Sequence, residues 1–249
     1  MITVNSREEL RELIEQRIKE QGPKCDLNDI DVSKVTDMSF LFSNSPFTGD
    51  ISKWDVSRVK DMHGMFEYSV FDGDISKWNV GKVENMLRMF SLSSFNGDIS
   101  KWDTSNVKTM NFMFNSSQFN GDISDWNVGR VEDMGFMFSS SQFTGDLSKW
   151  DVSKVENMAG MFAESKFDGD ISKWDVSRVR SMNLMFAKSQ FKGDLSKWDV
   201  SNVRTMSYMF LYTKFKGDLS QWDVSNVKDM SWMFYGSPLE REEPEWCKK

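Results

Sequence analysis

One tryptophan every 24 residues is the feature that most constrains this chain. Trp54, Trp78, Trp102, Trp126, Trp150, Trp174, Trp198 and Trp222 keep strict register, and Trp246 continues the series. Gly-Asp recurs in step, from Gly49-Asp50 to Gly217-Asp218. The unit from Asp50 to Gly73 reads D-[IL]-S-x-W-[DN]-V-S-x-V-x-x-M-x-x-M-F-x-x-S-x-F-x-G, without insertion or deletion. A 24-residue unit is too short to bury its own apolar side, so each copy must pack on the next. The period also accounts for the composition. All 18 Met but Met1 fall in the Met62 and Met65 columns, and most of the 20 Phe fall in the Phe66 and Phe71 columns.

The expected fold class is a repeat solenoid, leucine-rich-repeat-like, of about nine turns, with a parallel β-strand and a short helix or 3₁₀ turn in each unit. Ile51–Val56 alternates polar and apolar residues from Ser52 on, a strand pattern that points Trp54 and Val56 inward and Lys53 and Asp55 outward. Val59, Met62, Met65, Phe66 and Ser69 are spaced by threes and fours, as in a short helix or 3₁₀ turn. Open ends of such a stack need caps. Residues 1–25 read as a capping helix and linker: Ser6 and Glu9 form a capping box, Leu10, Leu13, Ile14 and Ile18 share one face, and Gly22-Pro23 stops the helix. Residues 26–236 read as nine repeats, the first degenerate, with Ile30 in the Trp column. Residues 237–249 read as a degenerate C-terminal cap, with Leu239 in place of Phe, Pro238 and Pro244 disturbing the last strand, and a charged run at 240–243.

Charge and motifs exclude several function classes. With 38 acidic and 31 basic residues and a net charge of −7, the chain has no general basic face for nucleic acid. No apolar run reaches the roughly 18 residues of a membrane span. The first ten residues lack the apolar stretch of an export signal, so the residues point to the cytoplasm. Cys25 and Cys247 are distant and read as free thiols. The single His, His63, sits beside Gly64 on an outward position, and no phosphate loop or hydrolase motif occurs. The reading is therefore non-enzymatic, with no catalytic residues and no cofactor.

Aspartate rows are the best chemical candidate. Asp50, Asp74, Asp98, Asp122, Asp146, Asp170, Asp194 and Asp218 form one row. Asp55 and its equivalents, twice Asn, form a second. Stacked carboxylates can hold Ca²⁺, which makes a calcium-binding solenoid the third functional reading. Two features favour a structural role with no metal instead: carboxylates after Gly suit Asx turns, and Lys53 and its equivalents flank the second row.

The unit F-x-G-D-[IL]-S-x-W-[DN]-V-S-x-V-x-x-M-x-x-M-F-x-x-S resembles the repeat of BspA-like leucine-rich-repeat surface proteins. It is most similar to the mycoplasma-type repeat catalogued as a domain of unknown function, over residues 26–236. The resemblance implies that Ile51, Trp54 and Val56 occupy an L-x-x-L-x-L strand. It also implies adhesion or protein binding, and a bacterial cell surface as the alternative location.

The repeat varies most tellingly in one column. On a helical wheel position 64 lies about 200° from Met62 and so faces outward. That column reads Phe40, Gly64, Arg88, Phe112, Phe136, Gly160, Leu184, Tyr208 and Trp232. Outward aromatics in such number suit a binding surface; equally, they suit a layer lying flat over the next turn. The candidate partner-binding residues are Phe112, Phe136, Leu184, Tyr208 and Trp232, with Leu211, Tyr212 and Tyr235 beside them. The expected ligand is a protein, bound by a monomer or low-order oligomer, and the alternative function is a structural or assembly component.

Overall fold

The computed structural model describes residues 1–247, so residues 248 and 249 of the expected C-terminal cap lie outside the described residues. The chain is a repeat protein in which equivalent residues of successive 24-residue units stand over one another. Phe66 and Phe90 stack with ring centroids 5.6 Å apart and planes within 1°, Phe71 and Phe95 at 6.4 Å, and Trp54 and Trp78 at 6.4 Å. Tryptophan, methionine and phenylalanine columns thus form one continuous core. Each indole N–H is satisfied by the neighbouring unit: Trp78 donates to the Ile51 carbonyl at 3.1 Å, and the bond recurs through Trp222 to Leu195. Burial of these columns corrects nothing in the sequence reading of the core, but the backbone does.

Ile51–Val56 is not a strand. Its residues form turns, with Trp54 N–H closing onto the Ile51 carbonyl. Nor is Val59–Ser69 helical. Apart from one bridge between Asp26 and Asp50, the parallel bridges between units run through this second segment, at one residue per unit: Asp37 to Asp61, Asp61 to Asn85, and so on to Thr205 and Asp229. Outside the first unit, where Ile30–Asp31 is a two-residue strand, the expected strand is replaced by turns, and in every unit the expected short helix gives way to a different arrangement with its own logic. Amides at 62, 64, 66 and 68 donate to the next unit, at Asn85, Leu87, Met89 and Ser91. Amides at 65, 67 and 69 close turns onto Met62, Gly64 and Phe66. Alternate amides thus serve the stack and the turn, and the segment leaves few polar groups unpaired in a dry core without being helix or strand.

Overlapping turns of this kind require positive φ. It occurs at the same two places in every unit, the position-64 and position-68 columns, from Phe40 at 56° and Asn44 at 55° to Trp232 at 59° and Gly236 at 71°. Bulky L-residues resist this region, at a cost of roughly 1–2 kcal/mol each. The interlocking hydrogen bonds of two neighbouring units hold them there.

At the N-terminal end, β1 (Ile2–Thr3) pairs in parallel with β2 (Ile30–Asp31), and helix α1 (Arg7–Gln21) follows. Ser6 Oγ accepts the Glu9 amide, while the Glu9 carboxylate accepts from Asn5 rather than from Ser6. Leu10 and Ile14 are buried against the first repeat, and Arg7 ties the helix to Asp37 and Ser39. Gly22, at φ 87°, ends the helix by donating to Ile18. At the other end two short 3₁₀ segments, Pro238–Glu240 and Glu245–Cys247, follow the last repeat.

Candidate interaction surface

Positive φ turns the position-64 and position-68 side chains away from the core. This, rather than a helical wheel, is what makes the column face outward. Exposure in these columns is high at both ends of the chain and lower in the middle, with Phe40 and Tyr68 38% and 58% exposed near the start. Phe112, Phe136, Leu184 and Leu211 are half-buried, whereas Tyr208, Tyr212, Trp232 and Tyr235 are 37%, 54%, 57% and 40% exposed.

The half-buried members lie flat along the stack. Phe112 and Phe136 stack at 4.8 Å with planes 5° apart, and the Arg88 guanidinium sits 5.1 Å over Phe112. In three places a ring fills the space that the side chain of the next unit would take. A Cβ on Gly160 would collide with Phe136, one on Gly64 with Phe40, and one on Gly236 with Tyr212. Phe112 and Phe136 are thereby sealing residues of the outer wall. The C-terminal residues instead form a protruding cluster: Trp232 meets Tyr235 edge-on at 4.9 Å, and Tyr212 meets Tyr235 edge-on at 5.4 Å. A hydrogen bond with Tyr235 raises the Tyr212 phenol above its ordinary value.

Both aspartate rows are engaged in turns. Asp50 Oδ1 accepts the Ser52 amide at 2.8 Å, and Asp55 Oδ1 accepts the Ser57 amide at 3.0 Å; both contacts recur along the rows. Bonds from the Ser52 amide and hydroxyl hold Asp50 below the usual carboxylate range, as bonds from Ser57 do for Asp55. A third row, unnoticed in the sequence, runs through position 61. Asp61 accepts the His63 amide, Asn85 donates to Asp61 at 3.0 Å, and Asn157 and Asn111 both donate to Asp133 at 2.9 Å. Its varied residues (Asp, Asn, Thr, Ser) share only a short polar side chain, which hid the row. Among the described residues no group of three acidic, His or Cys side chains converges to hold a metal ion. Cys25 is buried, which pushes its thiol up, and His63 packs its ring 4.4 Å from Phe40.

The same period is recognised by a family model described as "Mycoplasma protein of unknown function, DUF285", which matches residues 10–117, 91–166 and 140–246. The chain belongs to this family. No curated protein and no solved structure matches it. Like the family description, the fold supplies no function directly. No helix among the described residues is long and apolar enough to cross a membrane.

Proposed function

We propose that this chain is a non-enzymatic protein-binding module. In this reading it is a solenoid of nine turns whose parallel contacts run through the Met-Met-Phe segment. Its likeness to leucine-rich repeats lies in the short period and one-sided parallel contacts, not in an L-x-x-L-x-L strand. The observation that carries the function is the gathering of four exposed aromatics, Tyr208, Tyr212, Trp232 and Tyr235, in the last two units, three of them in edge-on ring contact; the other aromatics exposed to that degree, Phe40 and Tyr68, share no ring contact with each other. Exposed, mutually braced aromatics concentrate interface energy, often about 2 kcal/mol or more per anchor.

The test is the double change Tyr208→Ser with Tyr212→Ser. Both side chains lie outside the core columns, so the melting temperature is expected to stay within a few degrees. Partner capture from the source cells, quantified against wild type, is expected to fall at least tenfold. Undiminished capture by a folded variant overturns the assignment of the surface. Molar mass in solution separates this reading from an assembly component: a discrete oligomer that dissociates in the double variant favours assembly.

A further inference from the structure

Side chains of one column stand over one another at intervals set by the backbone. In the position-60 column each amide donates to the carbonyl of the unit before: Arg180 to Glu156 at 2.8 Å, Arg204 to Arg180 at 2.9 Å, and Lys228 to Arg204 at 2.7 Å. Neighbouring side chains therefore leave the backbone about 4.8 Å apart, as between hydrogen-bonded strands. At that spacing the order of charges matters. Earlier in the column the signs alternate through Lys60, Glu84, Lys108 and Glu132, and Glu84 meets Lys108 at 2.6 Å. From Arg180 on the alternation stops. Arg180, Arg204 and Lys228 set cation on cation in three consecutive units.

The position-58 column changes in the same units. It carries Arg130, Lys154 and Arg178, and then Asn202 and Asn226. Each of these asparagines is held close to the backbone: Asn202 Nδ2 donates to the Ser177 carbonyl at 2.8 Å, and Asn226 Nδ2 to the Ser201 carbonyl at 2.7 Å. Where longer cations would fill the space, a groove of about 640 Å³ is left. It is lined by Arg178, Arg180, Arg204, Lys228 and the two asparagines, with Glu156 as its one carboxylate. Arg180 pairs with Glu156 at 3.6 Å; Arg178, Arg204 and Lys228 have no ion-pair partner among the described residues. Four cations against one carboxylate make the groove positive in a chain of net charge −7.

We propose that this groove binds a linear oligophosphate, a chain of phosphate groups without nucleobases, lying along the stack. Charge density favours it. An extended peptide offers one face a carboxylate at every second residue, about 6.8 Å apart, which is sparser than the row of cations. Phosphates joined through single oxygens lie closer together and neutralise the row. Donor geometry favours it too. Guanidinium forks match phosphate oxygens in pairs, and the second amide proton of Asn202 and of Asn226 remains to join them. The lining argues against bases. No aromatic or aliphatic side chain borders the groove, whereas single-stranded nucleic acid is held by stacking its bases on aromatic rings.

The probe is inorganic tripolyphosphate, titrated calorimetrically into the full chain without divalent cations. It is expected to bind saturably at one site, at least tenfold more tightly than orthophosphate, and to weaken steeply with added salt, as charge neutralisation requires. Arg204→Gln, an exposed and unpaired change, is expected to leave the melting temperature unaltered and to weaken binding about tenfold. Lys228→Gln repeats the measurement should Arg204→Gln alter the fold. Lys108→Gln, in the same column but outside the groove, is expected to leave the affinity unchanged. No saturable binding at millimolar tripolyphosphate, or equal losses in the Arg204 and Lys108 variants, overturns the site. ATP binding ten times more tightly than tripolyphosphate would show that a base is recognised. A heparin hexasaccharide binding ten times more tightly would make the groove a sulfated-polysaccharide surface, and either result overturns the ligand proposed. The Tyr208 and Tyr212 test is independent of all these outcomes, since neither residue lines the groove.

Discussion

The two ends of the stack solve one problem differently. At the N-terminus β1 and α1 cover the first unit so fully that Val35 and Met38 are as buried as their counterparts in the middle. At the C-terminus the 3₁₀ segments shield Met233 and Phe234 and place Trp246 in register, its indole donating to Leu219 at 2.8 Å. They leave Val224, Val227 and Met230 half-open. A stack of identical layers has no intrinsic terminus, so whatever ends it must match both its apolar section and its hydrogen-bond polarity. The helix meets the first requirement with Leu10 and Ile14, while β1 meets the second over part of the section. The C-terminal segment meets the first only over the Trp and Phe columns.

The largest contrast is expected within one column. Trp126→Ala removes a buried ring and its bond to Ile99 and is expected to cost about 3–5 kcal/mol in denaturant unfolding. Trp246→Ala, at the half-open end, is expected to cost about 1 kcal/mol. Equal losses would mean that the last unit is as well sealed as the middle.

A smaller contrast compares the caps. Leu10→Ala, on the buried face of α1, is expected to destabilise by about 3 kcal/mol, and Val227→Ala by less than about 1 kcal/mol. The order reversed in the same unfolding experiment would show that the C-terminal end, not α1, holds the stack closed.

Acid is expected to act least per residue and to treat both ends alike. The Asp50 row runs from one end to the other, and serine hydrogen bonds depress its ionisation, and that of Asp55, Asp103, Asp151 and Asp223 in the second row, below the ordinary 3.8. A carboxyl depressed on folding contributes stability above its unfolded value, which is lost as pH falls through the folded one. The melting temperature is therefore expected to be level above about pH 5 and to decline below about pH 4. A decline beginning near neutrality would sink the Asx-turn reading of the rows.

Periodicity made the units, their register and every core column legible, because a residue that recurs at fixed spacing reports its layer directly. The backbone was not legible. Alternation at 51–56 and three-four spacing at 59–69 are the ordinary marks of strand and helix, yet the alternating hydrogen bonds make neither. Positive φ at Phe40, Arg88 or Trp232 contradicts what single residues prefer and follows only from the neighbouring units. The outward column was found for the wrong geometric reason. Half its members proved to be wall, which Gly64 and Gly160 signalled, since each follows an aromatic one unit earlier.

That pairing of ring and glycine has a consequence for how the chain finds itself. Nine nearly interchangeable layers invite slippage, in which one layer docks on its second neighbour and loops out the unit between. The core columns would accept such a slip, for Trp meets Trp and Phe meets Phe in any order. Phe136 would not, because it would come down on Leu184 in place of Gly160. The few irregular positions act as serial numbers on otherwise identical plates. A chain with its outer column made uniform would keep its core and lose its count.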